Sequence, residues 1–381
     1  MSIRSVFFWA HLSAGVAAGI IILLMSATGV LLTYERQMIA AAEADLIGRV
    51  EGDRLPLDEL AARASEFRAG VEMDIPADEA APIRLYEGRT KHLMHPVNGA
   101  IYPTVKTGTE AFMDDMTRLH RWLAMTGDDR ATGKAITGVS NLVFIFLALS
   151  GAYLWLPPVM RWSAAKARLL FRRSYTSGHA RDYNWHHVFA VWMLIPIIVM
   201  AVTATVFSYR WAHELVYTAY GETPPQRGRG SAPAKPEAAA PVTNDEPASL
   251  QARFDAVATA YPGWQTITMD AGAADGLPTG FEIDMGNGAQ YHKRYTASVL
   301  PDGTITDQTR PFDNRTPASQ ARITIRFLHT GEVLGAFGQT LAGLGSLAGI
   351  FLVWTGFALS YRRLIRPIFT KKNHETVSEN V

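Results

Sequence analysis

The stretch Asn184-Trp185-His186-His187-Val188-Phe189-Ala190-Val191-Trp192 sets two adjacent imidazoles where an arginine-rich segment gives way to an apolar run ending near Tyr209. Ionisable side chains inside bilayer-length apolar segments are costly and mark functional positions, usually turned toward other helices rather than lipid. Other histidines keep the same habit. His11 lies in the first apolar run, His120 precedes the second and His329 precedes the fourth. Four histidines at four span ends point to two ligand pairs, one near each face of a membrane.

The first run, Ser5 to Thr33, holds no Asp, Glu, Lys or Arg. A helix crosses the hydrocarbon core with about 20 apolar residues, whereas a secretory signal carries an apolar region of roughly 7–15. The run therefore reads as a retained anchor. On it His11, Gly15, Ala18, Ile22, Met25 and Gly29 share one helical face, and Gly15 with Gly19 leaves room for a close helix or a flat cofactor. Ala135 to Met160, His187 to about Tyr209, and Val333 to Tyr361 are the further spans. In the third, Ala190, Ile197, Ala201, Ala204 and Ser208 share a face with His186, while His187 points with Val191 and Ile198.

Between the spans the chain turns polar. Leu55 to Phe67 predicts a helix, Ile83 to Tyr86 and Leu93 to His95 predict strands, and Val97-Asn98-Gly99-Ala100 a hairpin turn. The order recurs later: a helix over Leu250 to Tyr261, strands over Phe281 to Asp284 and Tyr295 to Val299, and a turn at Pro301-Asp302-Gly303. This is an internal duplication of a small α+β module. The chain then divides into a first span within 1–34, a module over 35–115, an interfacial segment over 116–134, and a second span over 135–158. A basic loop over 159–185 leads to a third span over 186–209 and a linker over 210–247, read as disordered from the Pro, Ala, Gly and charge content of 221–247. A second module over 248–318, an interfacial segment with the fourth span over 319–361, and a basic tail over 362–381 complete it.

Arg161, Lys166, Arg168, Arg172, Arg173 and Arg181 crowd the loop after the second span, and Arg362, Arg363, Arg366, Lys371 and Lys372 follow the fourth. Short basic loops stay on the cytoplasmic side. Both termini are expected there and both modules outside.

The 381 residues carry a formal net charge of +1, which implies no nucleic-acid partner, and contain no cysteine. Disulfides, iron–sulfur clusters, thiolate-held metals and covalently attached haem are thereby excluded. Neutral imidazole is a good axial ligand for haem iron. His11 with His186 (His187 being the alternative) would hold one b-type haem near the cytoplasmic face, and His120 with His329 a second near the outer face. Two such haems carry electrons across a bilayer. His92, His95, His179, His292 and His374 stand in polar segments and read as surface residues. Arg118, Arg121 and Arg210, near the outer level, read as partners for haem propionates or an anionic substrate.

Four segments together resemble the PepSY-associated transmembrane family, bacterial inner-membrane proteins linked to iron uptake. They are Phe8-Trp9-Ala10-His11-Leu12-Ser13-Ala14-Gly15, Arg118-Leu119-His120-Arg121-Trp122-Leu123, the 184–192 stretch, and Leu328-His329-Thr330-Gly331. The turns at Pro96 to Gly99 and Pro301 to Gly303 are similar to the signature of PepSY modules. Ala190 replaces the family's usual glycine, and register on Trp192 favours His186 over His187. The resemblance implies a membrane all-α four-helix bundle with two periplasmic α+β modules. It further implies a di-haem reductase of ferric hydroxamate siderophores, of the ferrioxamine type, that releases ferrous iron at the periplasmic face. The electron donor could be a membrane quinol or a cytoplasmic reductase, and no flavin or nicotinamide fingerprint identifies it. Two other readings remain: a haem-free regulator or chaperone, and a cytochrome b subunit feeding a protein partner.

Overall fold

The computed structural model describes residues 2–103, 106–156, 162–225, 248–272 and 276–368. In chain order its first elements are α1 (Ile3–Leu32), α2 (Glu35–Ile47), α3 (Leu57–Phe67), β1 (Glu72–Pro76), β2 (Ile83–Glu87), β3 (Thr90–Met94) and β4 (Ile101–Tyr102). Helices α4 (Gly108–Trp122), α5 (Asp129–Trp155), α6 (Trp162–Leu169), α7 (Gly178–Trp192), α8 (Leu194–Ser208), α9 (Arg210–Thr218) and α10 (Leu250–Ala260) follow. The last are β5 (Thr266–Asp270), β6 (Thr279–Asp284), β7 (Arg294–Val299), β8 (Ile305–Thr309), α11 (Pro317–His329) and α12 (Gly335–Leu364). They form two units, one from 1–34, 113–216 and 328–381, the other from 35–112 and 217–327.

The first unit is helical and packed inside out. Small or hydroxyl-bearing residues are buried, among them Gly19, Ser26, Thr28, Gly138, Ser150, Gly345, Gly349 and Thr355. Large apolar ones face outward: Ile20 is 63% exposed, Phe337 73% and Ile195 75%. That distribution suits lipid as the surrounding solvent, where small residues let backbones approach and polar groups bond between helices. A Cβ on Gly349 would lie 2.5 Å from Ser26 Oγ, and Asn141 Nδ2 donates to the Ala201 carbonyl at 2.9 Å. Helix α1 packs on α5 and α12, α12 also on α7 and α8, and α5 also on α7 and α8.

Three stretches, Ile3–Leu32, Asp129–Trp155 and Glu332–Ile368, are each long and apolar enough to cross a membrane. The third run differs from the straight span expected over 186–209. It is α7 and α8, bent by 65° at the break between them. Pro196 explains the bend: its ring lacks an N–H and crowds the carbonyl of Trp192 four residues back. The continuous face expected from His186 to Ser208 is therefore interrupted. The basic segment 159–185 is also partly helical, holding α6 and the first turns of α7, which Ser177 caps by accepting from the Ala180 N–H at 3.2 Å.

In the second unit the two expected modules are halves of one sheet, ordered β4-β3-β2-β1-β5-β6-β7-β8. Each half is a helix, α3 or α10, followed by four antiparallel strands. They join where β1 and β5 pair with Asp74 opposite Thr268, and the Thr268 hydroxyl donates to Asp74 Oδ1 at 2.6 Å. Alternate residues Met73, Ile75, Ile83, Leu85, Ile267, Met269, Phe281 and Ile283 bury against Leu57, Leu60, Ala61, Phe254 and Val257 of the two helices. The turns fall where expected, with Gly99 at φ +65° and Gly303 at φ +87°.

Two further expectations are corrected. His92 and His95 are 3% and 6% exposed, not surface residues. His92 lies edge-on to Phe67 at 5.0 Å, and His95 Nδ1 accepts from the N–H groups of Val97 and Asn98, bracing the turn. Residues 210–218, expected as linker, form α9 with an Arg210–Glu214 pair one turn apart. The linker's 226–247 part and the tail beyond 368, with His374, lie outside the described residues.

Glu43 of α2, 1% exposed, accepts from Arg84 Nε at 2.8 Å and Lys91 Nζ at 2.5 Å, and Lys91 also meets Glu110 Oε2 at 2.9 Å. Removing one partner of a buried ion pair strands the other charges and costs about 3–5 kcal/mol. Glu43→Gln should therefore speed amide hydrogen exchange across β2 and β3 in the intact protein while leaving exchange in α1 and α12 unchanged. Unchanged exchange in β2 and β3 would show the network to be dispensable.

Candidate functional site

The histidine pairs lie in the helical unit, and each ring is held by a neighbouring helix. His11 on α1 places Nδ1 2.9 Å from Ser150 Oγ of α5. His186 on α7 places Nδ1 2.9 Å from Thr355 Oγ1 of α12. Phe189, stacked on Phe351 at 4.7 Å, and Trp185, packed against Trp354, fix the rotation of α7 on α12 that aims His186 inward. The rings of His11 and His186 then lie edge-on to one another with centres 6.4 Å apart and planes at 83°.

His120 near the end of α4 sets Nδ1 2.9 Å from Thr28 Oγ1 of α1. His329, the last residue of α11, sets Nδ1 2.9 Å from the Met200 carbonyl and 3.2 Å from Thr203 Oγ1, both on α8. Since His11 and Thr28 share α1, the two levels stand about 25 Å apart along it at 1.5 Å per residue.

Can these pairs hold haem? An imidazole–metal bond is about 2 Å and the ring centre lies about 1 Å further, so two rings flanking one metal have centres roughly 6 Å apart. The His11–His186 separation fits. Glycines border the rings: a Cβ at Gly151 would crowd His11 Cε1 at 3.2 Å, while one at Gly356 or Gly29 would make ordinary contact with His186 Cε1 at 3.7 Å or His120 Cε1 at 3.6 Å. Beside His11, a Cβ at Gly15 would meet Leu147 Cδ2 at 3.8 Å, whereas one at Gly19 would strike Phe357 at 2.5 Å. Gly19 thus serves close helix packing, whereas a side chain at Gly15 would meet only ordinary contact. Among the described residues no three His, Asp or Glu side chains gather as a bare ion would need. The His11–His186 spacing is compatible with two imidazoles holding one haem iron.

His187 turns elsewhere. Its Nδ1 donates to the Tyr183 carbonyl at 2.8 Å, and its ring lies over Tyr183 at 4.1 Å. Arg118 and Arg210 are engaged locally by Asp115 and Glu214, and Arg121 lies over Trp122 at 4.9 Å. The propionate role expected of them gains nothing from these contacts.

Two features are not apparent from the sequence. One is the set of residues behind the rings, since Ser and Thr inside an apolar helix look like ordinary packing residues. The other is buried Asp182, one turn before His186, which accepts from Arg362 Nη1 at 2.5 Å and Arg181 Nε at 2.9 Å and so ties α7 to α12. A lone acidic residue among arginines is its sequence signal.

No curated protein matches the chain. The family described as the PepSY-associated TM region matches residues 8–363, nearly the whole length and every one of the four histidine segments. The helical unit with its candidate spans, the duplicated sheet and this match agree, and the chain is a membrane protein of the PepSY-associated transmembrane family.

Proposed function

We propose that the protein is a di-haem b-type cytochrome of the bacterial inner membrane that reduces ferric hydroxamate siderophores. The observation that carries the reading is the His11–His186 pair, with ring centres 6.4 Å apart and each Nδ1 anchored on another helix. In this reading α1, α5, the bent α7–α8 pair and α12 form a four-helix bundle. Arg172, Arg173, Arg181, Arg362 and Arg363 mark its cytoplasmic face, and the sheet unit is periplasmic. His11 and His186 hold the inner haem, His120 and His329 the outer one.

When bound, the haems supply one-electron transfer between ferric and ferrous iron. The chain's part is to hold two imidazoles per group at fixed depth, about 25 Å apart along α1, a spacing matched to a core of roughly 30 Å. Its inside-out packing keeps water away from them. Hydroxamate oxygens are hard donors that suit ferric iron. One electron delivered to the complex gives ferrous iron, which they hold less tightly, so reduction serves as release. A membrane quinol or a cytoplasmic reductase would supply the electrons.

Haem quantified per chain in detergent-purified protein, with a dithionite-reduced absorption spectrum, tests this. Two haems per chain with a b-type reduced spectrum are expected. Protein purified from haem-replete cells that shows no reducible haem would overturn the proposal and leave a regulator or chaperone.

A further inference from the structure

All four candidate ligands have a hydroxyl behind the ring, and each hydroxyl comes from a different long helix. Thr28 of α1 backs His120, Ser150 of α5 backs His11, Thr203 of α8 backs His329 and Thr355 of α12 backs His186. We propose that these four are positioning residues that lock every ligand histidine in the tautomer with a bare Nε2 and tune the potential of the iron it binds. The inference rests on the haem reading above.

Proton bookkeeping carries it. A Ser or Thr hydroxyl has one proton to donate and lone pairs to accept with. Here each proton is already committed to the carbonyl four residues back on its own helix. Thr28 donates to Leu24 O at 2.7 Å, and Ser150 to Phe146 O, Thr203 to Val199 O and Thr355 to Phe351 O, each at 2.6 Å. What remains to face the imidazole is a lone pair. Nδ1 must then carry the proton, and a neutral imidazole protonated at Nδ1 has an unprotonated Nε2. His329 checks the deduction independently. Its Nδ1 also lies 2.9 Å from the Met200 carbonyl, which can only accept.

Back-bonding of this kind is the ordinary habit of Ser and Thr inside helices. By itself it explains the hydroxyl-to-carbonyl bonds. It does not explain why the spare lone pair of one such residue on each of four helices meets the Nδ1 of one candidate ligand. Thr137 shows the ordinary case: its hydroxyl meets the Gly133 and Lys134 carbonyls of its own helix and the Arg121 carbonyl of α4, with no imidazole in its contacts.

The consequence is electronic as well as geometric. An acceptor on Nδ1–H raises the basicity of the metal-bound nitrogen, and losing such a partner typically weakens metal binding by about 10–100-fold. A more basic ligand favours ferric over ferrous iron. Removing one hydroxyl should shift the midpoint potential of its own haem upward and leave the other in place.

The test uses the full-length protein in detergent with Thr355→Val, Ser150→Ala and Thr28→Val, plus Thr355→Ser as the conservative control. Haem per chain is measured first. An optical redox titration and the electron paramagnetic resonance signal of the ferric state follow. Thr355→Val and Ser150→Ala should raise the same one of two potentials and alter the same ferric signal, Thr28→Val should move the other, and Thr355→Ser should resemble the parent. Should Thr355→Val lose a haem, Thr355→Ser retaining it supports the hydroxyl's role, and Thr355→Ser losing it too overturns that role. Unchanged potentials and signals in Ser150→Ala and Thr28→Val with both haems bound would also overturn it. A parent protein without haem is a separate outcome that removes the haem reading itself.

Discussion

Protein carrying His186→Ala should be purified with one of its two proposed haems, while His187→Ala should retain both. His186 would be one of the two imidazoles holding the inner group, and no neighbouring side chain takes its place. His187 is adjacent in sequence, but its Nδ1 is spent on the Tyr183 carbonyl and its ring lies over Tyr183. To reach the space before His11 it would have to abandon both contacts, and α7 would have to rotate against the stacked Phe189–Phe351 pair.

Double replacements test the pairing more sharply than single ones. Groups that act as one unit give non-additive losses, while independent sites add. His11→Ala with His186→Ala should therefore cost no more than one haem, as each does alone. His11→Ala with His120→Ala should cost both. Haem extracted and quantified per chain decides the matter. If the first double variant loses both haems, or the second loses one, the pairs are drawn wrongly.

Much of the helical unit is legible in the sequence because its strongest signals are local. Charge-free runs longer than a bilayer core mark α1, α5 and α12, and an Asn-Gly step marks the turn at Gly99. The four histidines are conspicuous because each breaks or borders an apolar run. What stays hidden depends on partners far apart in the chain. The pairing of β1 with β5 unites residues 72–76 with 266–270, and neither strand carries a turn signal that would announce the other. Glu43 reads as a surface charge until Arg84 and Lys91 close on it. His92 and His95 look solvated in a polar segment, yet one packs on Phe67 and the other braces its own turn. The bend at Met193 has its sign in Pro196, but an unbroken apolar run outweighs one residue. The hydroxyls behind the histidines carry no signal, because a Thr in an apolar helix declares nothing about which ring it meets.

Anaerobic addition of ferrioxamine to the dithionite-reduced protein, freed of excess reductant, should reoxidise the haems and yield ferrous iron in matching amount. One electron leaves a haem for each ferric ion reduced, so two equivalents of ferrous chelate per fully reduced chain are the expected ceiling for two haems. A hydroxamate complex is too large and polar to enter a helix bundle packed around glycine and serine, whereas an electron passes between cofactors. The complex should therefore meet the proposed outer haem at His120 and His329, and His329→Ala should slow reoxidation by at least about tenfold, the loss expected when the exit site is gone. His186→Ala should behave differently. It keeps the outer site, so a single reduced haem should still pass its electron to the siderophore at close to the parent rate. It should fail instead when electrons are offered from the cytoplasmic side in oriented vesicles. This opposition between the two variants separates a transmembrane relay from a cytochrome that reduces iron wherever its haem is exposed. Equal slowing by both replacements would remove the relay. Haem that stays reduced in the presence of several ferric siderophores would remove the substrate and turn the search to a protein acceptor.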